Sequence, residues 1–165
     1  MIRSFINKFG STLYVQIWEN RIRVVDINSN EFFDEKPLLQ IETRSNGAKE
    51  VTAYGNNALN KPLNPFSHPR ALLKDFFVAE RLLQIIVKKL IRKKFITAAP
   101  EIIIHPMEKT EGGLTMIEIR AFKEMGLGAG GREVAIYQGK SSLIPAQINF
   151  KDIEKQEDTT LGNSW

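Results

Sequence analysis

Three sets of residues in this chain have types and spacings that could do chemistry. Gly139-Lys140-Ser141 has the ending of a phosphate-binding loop. Gly126, Gly128 and Gly131, within GLGAGG, stand at the spacing of a dinucleotide fingerprint. His105, Glu108 and Glu111 put an imidazole and two carboxylates beyond an apolar run, where α/β folds often place sites. Each reading needs particular flanks. A phosphate loop requires a first glycine five residues before the second, but Val134 is there, in a stretch that reads as a strand. A dinucleotide fingerprint follows a strand and opens a helix. Here a helix comes before the glycines and a strand after, so Gly126 is expected to cap the helix and the other glycines to make a tight turn. No nucleophile accompanies His105, and a hydrophilic loop is the plainer reading of that cluster. With His68 and His105 the only histidines, no cysteine and no metal-ligand spacing, a zinc site is not expected.

The elements that position these residues follow from periodicity. Residues 1–9 form an amphipathic helix, with Ile2, Phe5, Ile6 and Phe9 on one face and Arg3 and Lys8 among the polar positions. Residues 13–18 and 21–27 form a hairpin across Glu19-Asn20. PLLQIE and EVTAYG form two more strands joined at Ser45-Asn46-Gly47. Pro62, Pro65 and Pro69 mark a loop. Residues 75–94 form a helix capped by Asp75, with Phe76, Ala79, Leu82, Leu83, Ile86, Leu90 and Ile91 as its apolar stripe. EIIIH is a buried strand. The next helix presents Leu114, Ile117, Ala121, Phe122 and Met125 on one face, and REVAIY is a further strand. Residues 151–165 read as a loose, polar, acidic tail ending in Trp165. The fold class is α/β, with a mixed sheet and flanking helices.

Composition excludes some functions. The chain has 165 residues, enough for one domain, and no cysteine for disulfide or thiolate chemistry. No apolar run approaches the ~20 residues of a spanning helix, and no secretory signal is evident, so a cytoplasmic protein is expected. The net charge of +4 is concentrated in KKLIRKK, residues 88–94. A cationic helix end favours the helix dipole, and interleaved aromatic residues, which a nucleic-acid site would want, are lacking.

Several segments resemble one family in order along the chain. GAGGREV, residues 128–134, closely resembles the Gly-Ala-Gly-Ala-Arg-Glu-Val segment of MreB, the bacterial rod-shape actin. MIRSFINKFG resembles that family's amphipathic N-terminal extension, DFFVAERLLQIIVKKLI its Asp-Phe helix, APEIIIHP its strand ending in proline, and EVTAYGNNA its Val-Ala-x-(Val/Ile)-Gly segment. The resemblance covers residues 1–144 and implies an actin-like ATPase (ribonuclease H-like) first-half domain over residues 10–150, truncated after that half.

The resemblance also implies what has been lost. The family's first phosphate loop, Asp-x-Gly-Thr, falls on Gln16, Trp18 and Glu19. A neutral amide supplies no hard anionic ligand for magnesium. The indole fills space that phosphate needs, and Glu19 adds negative charge beside it. The family's Glu-Glu-Pro, which positions the attacking water, falls near Tyr137, Gln138 and Gly139. No Asp-x-Gly-Gly-Gly-Thr occurs in this chain. The implied protein is a non-enzymatic interaction or scaffold component of the cell-shape cytoskeleton, without cofactor or metal. Its expected partners are actin-like or cell-shape proteins and further copies of itself, with weak contact to the inner face of the cytoplasmic membrane through residues 1–9 at about 1 kcal/mol per cation. Two alternatives stay open: a residual nucleotide-binding protein completed by a partner subunit, and a basic nucleic-acid-binding module.

Overall fold

The computed structural model describes residues 10–92 and 98–162. Its elements run β1 (Thr12–Trp18), β2 (Arg21–Asp26), β3 (Phe32–Glu35), β4 (Leu39–Thr43), β5 (Lys49–Tyr54), α1 (Phe76–Ile91), β6 (Glu101–Pro106), α2 (Met116–Gly128), β7 (Glu133–Ile136) and α3 (Phe150–Gly162). The main sheet has the order β3-β2-β1-β6-β7, and β4 and β5 form a separate two-stranded sheet. β1 pairs antiparallel with β2 and parallel with β6, and β6 pairs parallel with β7. The sheet is therefore mixed, as its sequence implied. β3 was not anticipated, because only Phe33 of its four residues is buried.

β1 lies at the centre. Leu13, Tyr14, Val15 and Ile17 are all fully buried, because both faces of the sheet are covered. That is why the strand reads as a continuous apolar run and not an alternating one. On one face, α1 and α2 bury Leu82, Leu83, Ile86, Phe122 and Met125 against Leu13, Val15, Ile102 and Ile104. Each such side chain contributes about 1.5–3 kcal/mol on burial. Asp75 caps α1 by accepting from the Val78 amide at 3.1 Å.

The start of α2 is fixed by a capping box: Thr115 Oγ1 accepts from the Glu118 amide at 3.2 Å, and Glu118 accepts from the Thr115 amide at 2.7 Å. Two expectations for α2 are corrected. Ile117 is exposed and Ile119 is buried in its place. Two helical residues lie ~200° apart, so the core can take only one of them. Gly126 is not the cap. The helix continues to Gly128, and Gly130 takes the left-handed turn at φ 107°. Gly126 serves close packing, since a Cβ there would lie 2.8 Å from Val134 Cγ2.

The other face of the sheet carries the largest correction. Residues 150–162 form α3, not a loose tail. Phe150 and Ile153 cover Tyr14, Ile103 and Ala135, which would otherwise face water. Glu157, one turn further on, is buried. It accepts from the Ile136 amide at 3.0 Å and pairs with Lys123 at 2.5 Å. One carboxylate thus closes part of the β7 edge. The expected N-terminal helix with its membrane residues, Lys93, Lys94, Phe95 and Trp165 lie outside the described residues.

Candidate functional site at the strand ends

Side chains alternate across a strand, so Tyr14 and Gln16 on β1, Ile103 and His105 on β6, and Ala135 on β7 share the α3 face. Going toward the carboxyl ends of these parallel strands, this row changes from apolar to polar. α3 covers the apolar part. The polar part is covered by the segment that follows β7.

Three side chains, Gln16, Tyr14 and His105, tie that segment down. Gln16, 3% exposed, donates from Nε2 to Ser142 Oγ at 2.7 Å and lies 3.6 Å from Met107 Sδ. The Leu143 amide donates to the Tyr14 hydroxyl at 3.0 Å. Tyr14 Oη lies 2.6 Å from His105 Nδ1, and His105 Nε2 lies 2.6 Å from the Gly139 carbonyl. A carbonyl only accepts, so Nε2 carries the proton and the Tyr14 hydroxyl donates to Nδ1. Burial pushes the His105 pKa down, with the Gly139 bond opposing, and burial pushes the Tyr14 phenol up. Both effects favour the neutral pair this arrangement requires. The Tyr137 ring meets His105 edge-on at 4.7 Å. At Gly139 a Cβ would collide with the Tyr137 hydroxyl.

The turn after β1 is held as firmly. The Glu19 amide donates to Glu108 Oε2 at 2.8 Å, and the Glu19 carboxylate lies 3.4 Å from Lys109 Nζ. Asn64 donates to the Glu19 carbonyl at 2.8 Å, and Lys109 also bonds the His68 carbonyl. Trp18 is half-buried beneath the Arg21 guanidinium, 4.7 Å from its ring, and Arg21 is fixed by two bonds to Asp34 at 2.7 and 2.6 Å. Beside this rim lies a cleft of about 580 Å³, lined by Met107, Glu111, Gly112, Gly113, Gln138 and Lys140 among others. Gln138 Oε1 accepts from the Leu114 amide at 2.9 Å.

The sequence-predicted residues sort accordingly. Gln16, Gln138 and Gly139 gather at the carboxyl ends of β1, β6 and β7, with Trp18 as the last residue of β1 and Glu19 on the turn that follows it. His105, Glu108 and Glu111 do not converge. His105 is buried within β6, not in a hydrophilic loop, and both ring nitrogens are engaged, while Glu108 is turned to the Glu19 amide. His68 Nδ1 accepts from the Arg70 and Ala71 amides, shaping a turn. Gly139-Lys140-Ser141 is no phosphate loop: it follows a strand and leads to no helix N-terminus. Among the described residues, no group of three or more His, Asp or Glu could hold a metal. Tyr14 and Ser142 were missed. A phenol inside an apolar strand was the available signal, since a buried hydroxyl needs a partner.

No family model matches the chain. The cell shape-determining protein MreB of Pasteurella multocida is 30% identical over 113 residues, 64% of this chain and 31% of that protein. The uncharacterised protein YjaA of Escherichia coli is 32% identical over 124 residues, 72% of this chain and 76% of YjaA. MreB5 of Spiroplasma citri, in a crystal structure bound to ADP, matches with a TM-score of 0.58 at 14% identity, covering 78% of this chain and 38% of that one. The matches span only 18–41% of the length of the MreB relatives. The mixed sheet between helices is thus the actin-like fold, and the chain is MreB-like over part of the MreB length. Within that class it belongs to the same family as YjaA.

Proposed function

We propose that this protein is a non-enzymatic, MreB-like interaction component of the cell-shape machinery, whose phosphate-binding end has been closed by its own chain. The observation that carries this is the 2.7 Å bond from Gln16 to Ser142. Under the family resemblance, Gln16 stands where the metal-holding aspartate would be, and residues 137–139 stand where the water-positioning glutamates would be. Gln16 is fastened to the segment that continues from residues 137–139, at Ser142, and neither Gln16 nor Tyr137, Gln138 and Gly139 supplies a carboxylate for magnesium. Trp18 and Glu19, at the remaining loop positions, are engaged with Arg21, Glu108 and Lys109. The relatives' name supplies the cell-shape context.

Isothermal titration with ATP and magnesium tests this. The expected result is no saturable heat; saturable binding would overturn the closed-site reading and favour a nucleotide-binding protein. Self-association and weak attachment to anionic membrane through Ile2, Arg3, Phe5, Ile6, Lys8 and Phe9 belong to the same proposal. The membrane part rests on the sequence of that segment. Flotation with anionic vesicles that is unchanged by Phe5→Asp would remove it.

A further inference from the structure

The face formed by β5 and α1 takes no part in the closed site. β5 has a strand neighbour on one side only, β4. Along its other side runs a groove of about 460 Å³ that touches Val51, Thr52, Ala53 and Tyr54 in succession, and no residue of β4. Successive strand residues point to opposite faces. A cavity that meets four in a row without the partner strand therefore lies along the strand's edge, where main-chain groups are open to pairing. The far wall of the groove is α1, with Arg81, Ile85 and Lys89. A second hollow of about 560 Å³ continues from Tyr54 and Arg81 to Lys88 and Arg92.

The charge of this groove is one-sided. Arg81, Lys88, Lys89 and Arg92 are exposed, and among the described residues none is paired with a carboxylate. Arg81 bonds the neutral Gln84 amide at 3.1 Å, and Lys89 lies over the rings of Phe33 and Tyr54 at 5.6 and 5.9 Å. Glu35 is the single carboxylate on the lining of these two hollows. From Val51 to Tyr54 the edge carries no proline and no charged side chain; the charges of β5, Lys49 and Glu50, lie at its start, and the pairing with β4 skips Thr52 at an irregularity between Gln40 and Ile41. The floor, formed by Val51, Tyr54 and Ile85, is half-buried and apolar.

We propose that an extended acidic segment of a partner protein adds to the outer edge of β5. Its main chain pairs with residues 51–53, and its carboxylates are held by Arg81, Lys88, Lys89 and Arg92. Strand addition takes its affinity from main-chain bonds and its selectivity from alternate side chains, and this groove offers both an open edge and cations beside an apolar floor. The chain's own acidic stretch does not supply the segment, because residues 150–162 are folded into α3 with Glu157 buried. The inference stands whether or not nucleotide binds at the strand ends.

The probe is a fluorescein-labelled peptide of alternating glutamate and valine, with two controls: lysine in place of glutamate, and N-methylation at alternate amides. Anisotropy at low and high salt is read beside hydrogen exchange of residues 51–53. The acidic peptide is expected to bind and to slow exchange there, while both controls fail. Arg81→Glu with Lys89→Glu, both exposed positions, is expected to weaken binding about tenfold or more with an unchanged melting curve. Three results would overturn the proposal: no binding, equal binding of the lysine peptide or of the methylated peptide, or binding without protection at residues 51–53. A single-stranded oligonucleotide that competes while those amides stay unprotected would show a general polyanion patch instead.

Discussion

Tyr14 joins three segments through one oxygen. It accepts from Leu143, donates to His105, and so bears on the segment that His105 holds at Gly139. Tyr14→Phe keeps the ring in its packed place and removes that oxygen, leaving the Leu143 amide and His105 Nδ1 without partners. A buried group left unsatisfied costs about 1–3 kcal/mol. At about 2–4 °C per kcal/mol for a chain of this size, a melting temperature lower by several degrees is expected in a thermal unfolding curve. His105 adds a pH signature. Its native pKa is below its ordinary value of 6.5. Below that value the unfolded chain takes up a proton that the native state refuses. Stability is therefore full above about pH 6.5 and falls as pH drops toward the lowered native value. The Asp34 carboxyl, lowered by its bonds to Arg21, acts in a separate window below 3.8. Stability measured in denaturant between pH 7.5 and 5 should decline in the native protein, and the decline should flatten in His105→Asn. An equal slope in both would mean that His105 is not held neutral.

At the scale of elements, α3 decides whether the sheet has two covered faces or one. Ile153 is 7% exposed and packs in the cluster of Tyr14, Ile103 and Ala135. Ile153→Asp removes an apolar side chain and puts a carboxylate in its place, at a cost of several kcal/mol. A large drop in melting temperature, with exposure of dye-binding surface, is the expected outcome; near-native stability would mean that α3 is dispensable. The same helix shows where the sequence was legible and where it was not. α1 was readable because its stripe is long, continuous and opened by Asp75. β1 and β2 were readable because β-branched runs flank a short turn. α3 has only Phe150, Ile153 and Glu157 buried, and the last is charged, so its inward face is indistinguishable from a polar tail until the bare face of β1 and β6 is seen. Ile117 and Ile119 pose the reverse difficulty, since either could have faced the core. At the strand ends, Gln16, Glu19, Gln138 and Gly139 were named from the family resemblance. The bonds that fasten them could not be read, because Ser142 and Leu143 lie in a stretch without periodicity.

Across the whole molecule, the closed end is made by segments far apart in sequence. Gln16 and Ser142 are 126 residues apart, and Glu19 and Glu108 are 89 apart. Each such contact is held in place by the fold that the others complete, so the loss of one weakens the rest. Restoring the family's loop residues should therefore damage the protein before it rebuilds a nucleotide site. In the triple variant Gln16→Asp, Trp18→Gly and Glu19→Thr, the shorter aspartate side chain at position 16 would leave Ser142 without its partner and place a carboxylate where Gln16 is 3% exposed. Removing the indole would take away the surface on which Arg21 rests, and Lys109 would lose its carboxylate at position 19. Lost bonds and a buried charge together amount to about 2–4 kcal/mol or more. The expected result is a lower melting temperature with no heat on titration with ATP and magnesium. If the triple variant instead melted at the native temperature and bound ATP saturably, the segment after β7 would have to be a displaceable cover over an intact phosphate site, and the closed-site reading would fail.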